Sequence, residues 1–284
     1  MEVKTMEGAQ IRPARRRSPA LKRLRRFAVV LVILIPGAWF VPVLTGILVA
    51  CGAADVLRHR RITLRLVEQY FTGNGILTWL LSPFNLLADL LSHRNRGVFH
   101  LADLPAAHRA EIEACTRALI QHADEVKAHV ARTLAANRRG MFTFQWYGEP
   151  QSPALRIPAF EQKYRYIKTI ALSVFNTRER THWHFGPLRL TFRVLFNLDP
   201  IASREVFIEV DNRTHYWMDE PLFIFDDTFF HRSINDVDHV RYCLFMDILR
   251  PNRCDALFNA AVRAVRIISG SFQRMFYKNW KFLR

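Results

Sequence analysis

Two histidines, each followed at a similar distance by an arginine, are the residues of this sequence most suited to chemistry. His184 precedes Arg193 by nine residues, and His231 precedes Arg241 by ten. A neutral imidazole binds transition metals, and a guanidinium binds a carboxylate through two parallel hydrogen bonds. Together they would suit a metal centre that also holds a dicarboxylic co-substrate, although spacing alone is a weak signal that does not separate such a centre from ordinary surface or core histidines.

Both arginines fall in strand-like segments that are mostly apolar. In LRLTFRVLFNL, Arg193 alternates with large apolar side chains, and in RYCLFMDIL, Arg241 shares a face with Cys243 and Phe245. A buried guanidinium costs several kcal/mol unless it is paired. Exposure on an edge strand is the alternative for either arginine alone. Two such arginines beside histidines favour an anion-binding site.

The elements that must position these residues are strands. Short runs rich in β-branched and aromatic residues follow one another from Met141 to Leu249, separated by turn signals. They are MFTFQWYG, IKTIALSVF, LRLTFRVLFNL, REVFIEV, PLFIFDD and RYCLFMDIL. This spacing predicts a mainly β fold, a sandwich or jelly roll. Before them, Asp103–Leu134 carries apolar residues at three- and four-residue steps, which predicts a helix packed on the strands.

The N-terminal region is apolar and flanked by positive charge. Phe27–Ala54 contains no charged residue, and roughly 20 apolar residues suffice to span a bilayer. The first 65 residues carry 13 lysines and arginines against three acidic residues, so most of the net charge of +16 lies at this end. These features predict a membrane segment beside an anionic membrane surface. A buried core helix is the alternative.

The side of the membrane depends on how often the chain crosses. Pro36 and Pro42 could break the apolar segment into a hairpin, or Gly75–Leu91 could form a second crossing or an interfacial helix. The basic N-terminus favours a cytoplasmic start. Four widely spaced cysteines without a CxxC pair predict free thiols in a reducing compartment. We therefore expect an inner-membrane protein whose catalytic domain faces the cytoplasm.

Two blocks, HFGPLRLTFRVLFNL and FIFDDTFFHRSINDVDHVRYCLFMDILRP, resemble the aspartyl/asparaginyl β-hydroxylase family. Its members are jelly-roll dioxygenases that use Fe(II) and 2-oxoglutarate. The resemblance implies that His184, before Gly-Pro, and His231, after Phe-Asp-Asp, are the iron ligands. It implies that Arg193 and Arg241 hold the carboxylates of 2-oxoglutarate, with help from Ser173.

The resemblance is clear over 167–251 and has two departures. The family often has a second histidine near the co-substrate, where this chain has Leu195. The usual third metal-binding carboxylate, two residues after the first histidine, would fall at Gly186. The family is known to use two histidines with water completing the metal shell, so this departure fits the resemblance.

Other candidates near the two blocks have alternative interpretations. His182 could replace His184 as the metal ligand, although only His184 precedes Gly-Pro. Asp226 and Asp227 could replace the absent carboxylate. We expect them instead to form turn and backbone hydrogen bonds that lead into the strand of His231.

The resemblance implies an enzyme that hydroxylates an unactivated C–H bond. Among bacterial relatives with an apolar N-terminus are enzymes that 2-hydroxylate an acyl chain of lipid A, which we expect as the reaction here. An ornithine lipid is the nearest competing substrate, and an aspartyl or asparaginyl side chain of a protein the more distant one. A non-catalytic protein that binds nucleic acid is disfavoured, because the sequence has no helix-turn-helix or RNP-like signature. The sequence indicates no particular protein partner.

These expectations divide the chain into regions. They are a basic N-terminal segment (1–26), a membrane segment (27–54), a juxtamembrane region with a second apolar segment (55–97), a helical region packing on the barrel (98–140), a jelly-roll dioxygenase domain (141–251), and a C-terminal helix with a basic-aromatic tail (252–284). In the tail, Lys278, Trp280, Lys281 and Phe282 could lie at a lipid interface.

Overall fold

Two mainly antiparallel sheets form the centre of the molecule, and helices flank them. The computed structural model describes residues 19–134, 139–151, 154–269 and 281–282. The strands are β1 (Val98–Phe99), β2 (Arg139–Trp146), β3 (Glu149–Pro150), β4 (Ile167–Phe175), β5 (Glu179–Arg180), β6 (Thr191–Asn197), β7 (Val206–Val210), β8 (Arg213–Tyr216), β9 (Leu222–Phe225), β10 (His231–Asn235), β11 (Arg241–Leu249) and β12 (Lys281–Phe282). The helices are α1 (Pro19–Phe40), α2 (Pro42–Leu57), α3 (Leu64–Thr72), α4 (Ile76–Leu80), α5 (Ser82–Leu90), α6 (Ala106–Gln121), α7 (Ala123–Leu134), α8 (Pro158–Glu161) and α9 (Asp255–Ser269).

The strand order is that of two facing sheets. The larger sheet runs β1-β9-β6-β11-β4-β2-β12, with β3 paired to β2, and the smaller runs β5-β10-β7-β8. Ala171 of the larger sheet and Ile208 of the smaller one lie in the same buried cluster, so the sheets pack face to face. The fold is therefore mainly antiparallel sheet with flanking helices, as expected for a jelly roll.

Strand β4 shows why the larger sheet has one packed face and one open face. All nine of its residues are buried. Ile170, Leu172 and Val174 point to one side and pack in a cluster with residues of α6 and α7. Ala171 and Ser173 point to the other side, toward the smaller sheet. The large side chains thus hold the helices, and the small ones leave room for a cavity between the sheets.

The predicted membrane segment Phe27–Ala54 does not form one continuous helix. Val41 leaves the helical region with φ −139° and ψ 60°, because Pro42 disfavours a helical residue before it and starts a new helix. The chain then turns back, so Val30 of α1 and Val56 of α2 share a buried cluster. In the part of the chain that the structure describes, no helix is both long enough and apolar enough to cross a bilayer. The structure therefore does not support the predicted crossing.

Two other expectations about elements need correction. Asp103–Leu134 is two helices rather than one, because His122 leaves the helical geometry and binds the carbonyl of Ala118 through its ring. The sequence analysis also missed β8. It follows a two-residue turn, Asp211–Asn212, in which both residues have positive φ, 45° and 65°. Such turns join adjacent antiparallel strands, and aspartate and asparagine are common in them.

The C-terminal tail falls mostly outside the described residues. Lys278 and Trp280, two of the residues considered for a lipid interface, lie there. Lys281 and Phe282 form β12, which pairs in parallel with Gly140 and Met141 of β2.

Candidate active site

The two predicted metal ligands meet across the end of the smaller sheet. His231 is the first residue of β10, and His184 lies in the loop before β6. Their backbones form an isolated antiparallel bridge, with N–O distances of 2.9 and 3.0 Å between the two residues. The centres of their rings are 4.1 Å apart. The fold thus brings together two histidines that are 47 positions apart in the sequence.

Both rings bond a backbone carbonyl through the same nitrogen. The Nδ1 atom of His184 lies 2.7 Å from the carbonyl oxygen of His182, and that of His231 lies 2.8 Å from the carbonyl of Phe229. A carbonyl only accepts, so each Nδ1 carries the proton and each Nε2 keeps its lone pair. Burial lowers the pKa of His184 to about 4 and that of His231 well below its usual value. Two neutral imidazoles with free Nε2 atoms are the donor set that a divalent metal requires.

Asp227 fills the space left by the missing side chain at position 186. A Cβ atom on Gly186 would overlap the Asp227 carboxylate. This carboxylate is paired with Arg193 at 2.8 Å, and Arg193 also binds Asp247 at 2.7 Å. Burial raises the pKa of Asp227 to about 7, and the Arg193 charge opposes that rise. Arg193 therefore lines the cavity with two carboxylates of the protein already bound to it.

Asp226 makes the expected turn hydrogen bond, whereas the Asp227 side chain makes an ion pair instead. The Asp226 carboxylate does accept the backbone N–H of Thr228 at 2.8 Å, which is the predicted turn hydrogen bond. It also lies 3.0 Å from Arg58, so it joins the jelly roll to the N-terminal helices. Asp227 makes its ion pair inside the cavity. Nothing in the sequence indicated that these two adjacent aspartates would make different contacts.

Arg241 is a buried cation with unused hydrogen-bond donors. Its guanidinium donates to Ser233 Oγ at 3.1 Å, and its carbon lies 4.4 Å from the centre of the Phe175 ring. Its Nε and Nη1 atoms are buried and have no hydrogen-bond partner among the described residues. Burial lowers the pKa of Arg241. A buried donor without a partner is costly, so this geometry fits an anion that is held there.

The distance from Arg241 to the histidines suits a short dicarboxylate. Ser233 and His231 are two residues apart on β10, so their side chains lie on one face about 7 Å apart. Arg241 reaches the face at Ser233, and the metal would lie at His231. An extended five-carbon dicarboxylate can join these two points. Ser173, in register with Cys243 of β11, lies on the opposite wall.

All five predicted site residues line one cavity of about 510 Å³. They are Ser173, His184, Arg193, His231 and Arg241. Leu195, which stands where the family often has a histidine, and the alternative ligand His182 line the same cavity. Among the described residues, no group of three or more histidine, cysteine or acidic side chains is placed to hold a metal. The roles of the five residues stay predictions.

The loop that carries His184 is held by the N-terminal helices. Three side chains donate to its carbonyls: Asn74 to Trp183 at 2.8 Å, Thr78 to Gly186 at 3.0 Å, and Asn85 to Pro187 at 3.0 Å. The donors lie in or beside α3, α4 and α5. This helical layer therefore sets the position of a predicted metal ligand, a role that the sequence analysis did not assign to it.

A buried cluster of charges joins the same layer to the jelly roll. Arg189, which is fully buried, is ion-paired with Asp55 of α2 and with Asp89 of α5. Arg58 contacts Asp55 and Asp226, each at 3.0 Å. Arg58 and Arg189 hold the pKa of Asp226 well below its usual range, against the effect of burial. A further arginine, Arg250, binds Asp89 at 2.7 Å.

Comparison with known proteins agrees with the sequence motifs. The profile of the family described as aspartyl/asparaginyl beta-hydroxylase matches residues 107–251, just over half of the chain. The chain therefore belongs to the aspartyl/asparaginyl β-hydroxylase family, which confirms the predicted family and the hydroxylase class. An ornithine lipid ester-linked acyl 2-hydroxylase from Rhizobium tropici is 31% identical over 98 residues, which cover 34% of this chain and 35% of that protein. The chain thus matches about a third of that relative's length.

Solved structures give weaker similarities. An oxidoreductase of the 2OG-Fe(II) oxygenase family from Burkholderia pseudomallei is 13% identical, with a TM-score of 0.30 over 46% of this chain and 80% of that chain. The protein TT1209 from Thermus thermophilus is 13% identical, with a TM-score of 0.25 over 32% of this chain and 79% of that chain. These scores are too low to support an inference about the chain.

Proposed function

We propose that the protein is an Fe(II)- and 2-oxoglutarate-dependent hydroxylase that acts on an acyl chain of a membrane lipid. His184 and His231 would hold the iron through their Nε2 atoms, and Arg241 would hold one carboxylate of 2-oxoglutarate. When bound, the two cofactors supply oxidation of a C–H bond by O2, with succinate and CO2 as co-products. The chain itself positions the reactants and excludes water.

One observation carries the cofactor assignment. The same cavity contains two neutral histidines with free Nε2 atoms and a buried arginine with two nitrogens that no described residue binds. A metal would bind the two histidines, and an anion would accept the free donors of the arginine. A 2-oxoglutarate molecule can contact the metal and the arginine at once. Arg193 stays a predicted ligand of the co-substrate, although it would have to share its donors with Asp227 and Asp247. Ser173 would assist from β4.

The lipid substrate is supported by the surface of the N-terminal helices. Many apolar side chains of α1, α2 and α5 are exposed, including Trp39 at 82% and Leu90 at 77%, and α2 packs against both α1 and α5. Exposed apolar patches of this kind mark interaction surfaces, and a lipid bilayer is an apolar partner. Arg25 and Arg26 are exposed on α1, and their charge suits an anionic membrane surface.

The relative from Rhizobium tropici supports the same substrate class. Its name describes hydroxylation at position 2 of an ester-linked acyl chain of ornithine lipid. Ornithine lipid is therefore the first substrate to test, beside the predicted lipid A. The alternative substrate is an aspartyl or asparaginyl side chain of a protein, which is the substrate that the family name describes.

Lipid mass spectrometry tests the substrate. Lipids from cells with the protein are compared with those from cells without it and from cells with His231→Ala. We expect one added oxygen atom on an acyl chain of ornithine lipid or lipid A only with the unchanged protein. Lipids without any added oxygen, together with a hydroxylated aspartate or asparagine in a membrane protein, would overturn the lipid assignment.

The proposal also places the protein at the inner membrane, with its catalytic domain on the cytoplasmic side. The four cysteines are free, which suits a reducing compartment that also contains Fe(II) and 2-oxoglutarate. The turn at Val41 is compatible with helices that enter and leave the lipid on one side. Protease added to intact spheroplasts should leave the domain uncut, whereas digestion would place it outside.

A further inference from the structure

The connection between α2 and α3 contacts the corner of the jelly roll that presents His231. In this connection, Arg58 donates to the Asp226 carboxylate at 3.0 Å. The next residue, His59, is only 4% exposed. Both residues lie outside 107–251, the part of the chain that matches the family profile. A buried histidine of the N-terminal layer therefore lies beside the segment that leads to a predicted iron ligand.

The His59 ring makes a hydrogen bond through each of its nitrogens. Its Nδ1 atom lies 3.1 Å from the carbonyl oxygen of Val56, and a carbonyl only accepts, so Nδ1 carries the proton. Burial and the neighbouring Arg58 charge lower the pKa of His59 to about 4, so the ring is neutral at neutral pH. The Nε2 atom keeps its lone pair and accepts the backbone N–H of Phe230 at 3.3 Å.

The peptide group that donates to His59 also accepts from His231. The N–H of Phe230 and the carbonyl of Phe229 belong to one peptide group, and this carbonyl lies 2.8 Å from Nδ1 of His231. Because a peptide group is planar and rigid, a hydrogen bond at its N–H end also fixes the direction of its carbonyl. His59 thus orients the acceptor that keeps the proton of His231 on Nδ1 and leaves Nε2 free for a metal.

The same ring also contacts the segment that carries the other predicted ligand. Its edge-on contacts are with Phe229, at 5.0 Å between ring centres, and with Phe185, at 6.0 Å. Phe185 directly follows His184. One side chain of the N-terminal layer therefore packs between the two segments that must approach each other to form the metal site.

We propose that His59 is a positioning residue for the iron centre and acts on His231 through the Phe229–Phe230 peptide. This inference rests on the proposed function and deepens it. His59 contacts neither the metal nor the substrate. Its effect should therefore appear in the affinity for Fe(II) and in the protonation pattern of the His231 ring.

An anaerobic competition titration with a chelating dye measures the first effect. His59→Leu removes the acceptor and leaves the N–H of Phe230 without a partner. Loss of an outer partner of a metal ligand costs about tenfold to a hundredfold in metal affinity, and we expect about tenfold here because the contact acts through a peptide group. His59→Gln places an amide oxygen near the position of Nε2 and should restore most of the affinity.

A second buried histidine provides the matched control. His108 is also 4% exposed, and its Nε2 lies 3.1 Å from the carbonyl of Leu249. His108→Leu should reduce the stability of the fold, measured by denaturant unfolding, and leave the Fe(II) affinity unchanged. Unchanged Fe(II) affinity in His59→Leu would overturn the inference, and so would an equal loss in His108→Leu. Should His59→Leu not fold, His59→Asn, whose amide is too short to reach Phe230, decides by the same criterion.

NMR of the histidine rings in the metal-free protein measures the second effect. We expect the proton of His231 on Nδ1 in the wild type and in His59→Gln, and a mixture of both tautomers in His59→Leu. A wild type that binds no Fe(II) but shows this change would keep the link from His59 to His231 and refute the proposed function. A wild type that hydroxylates lipid, with the His231 tautomer and the Fe(II) affinity unaltered in His59→Leu, would keep the function and refute the inference.

Discussion

Buried arginines occur in two regions of this protein, and their surroundings differ. Arg189 and Arg250, at the boundary between the N-terminal helices and the jelly roll, are fully buried and bound to carboxylates of the chain. Arg241, at one end of the cavity, is almost as deeply buried, and no carboxylate among the described residues is ion-paired with it. A buried guanidinium is part of the fold where the chain supplies its anion, and it indicates a ligand where the chain does not.

The largest expected difference between the two regions is in stability. Arg189→Met should lower the free energy of unfolding by about 3 kcal/mol, because Asp55 and Asp89 each lose one of their two arginine partners in a buried cluster. Arg241→Met should cause no loss, because it removes a buried charge that lacks an anion. Denaturant unfolding of the ligand-free proteins measures both. Equal destabilisation by the two substitutions would remove the distinction between the regions.

In the cavity, substitution of the buried arginine should change the concentration of 2-oxoglutarate that the enzyme requires. Arg241→Lys keeps the charge and loses the planar fork that binds a carboxylate with two hydrogen bonds. A hydrogen bond to a charged group contributes roughly 1.5–3 kcal/mol, so the 2-oxoglutarate concentration for half-maximal turnover should rise about tenfold to a hundredfold. Arg204→Lys, at an exposed pair with Asp219, is the matched control. A normal 2-oxoglutarate requirement in Arg241→Lys would exclude this arginine from the site.

A smaller effect is expected at the contacts through which the N-terminal helices hold the loop of His184. Asn85 binds the carbonyl of Pro187 and the backbone N–H of Arg189, each at 3.0 Å. Asn85→Leu leaves both buried groups without a partner, at a cost of roughly 1–3 kcal/mol each. We expect lower stability together with weaker Fe(II) binding in a competition titration. Asn259→Leu on α9, which removes one contact within a helix, should leave Fe(II) binding unchanged. Unaltered Fe(II) affinity in Asn85→Leu would show that the helices do not position the His184 loop.

The smallest expected effect is a pH dependence of the stability that the Asp226 ion pairs contribute. The pKa of Asp226 is lower in the folded protein than its unfolded value of about 3.9, so its ion pairs stabilise the fold above that pH. This contribution is lost as the pH falls through the folded pKa. The stability difference between the wild type and Asp226→Asn should therefore be constant near neutral pH and shrink below about pH 4. A difference that is independent of pH would mean that the Asp226 charge does not stabilise the fold.

The sequence predicted the parts of the molecule that depend on local pattern. Strands β4 and β11 coincide with IKTIALSVF and RYCLFMDIL, because alternation and β-branched content are local properties. The two motif histidines were predicted from short sequence blocks, and the fold brings their rings to 4.1 Å from each other. The break at Val41 agrees with one alternative of the sequence analysis, a break of the apolar segment at its prolines, although Pro36 lies inside α1 and only Pro42 starts a new helix.

The sequence could not predict the contacts between distant segments. Asp55 and Arg189 are 134 residues apart, and nothing near either residue indicates the other. The same holds for Thr78 and Gly186, and hence for the helical layer that holds the His184 loop. The Asp227 carboxylate occupies the space that a side chain at position 186 would fill. The motif around Gly186 does not show this, because Asp227 is distant in the sequence.

The most direct test of the account is anaerobic binding of Fe(II) and 2-oxoglutarate, measured by visible absorption. Chelation of Fe(II) by 2-oxoglutarate produces a charge-transfer band that requires both partners at one site. We expect the band in the wild type and in His239→Ala, an exposed histidine used as the control, and no band in His184→Ala or His231→Ala. Absence of the band in the wild type, or its persistence in both variants, would contradict the assignment of the two histidines and Arg241 to one cofactor site.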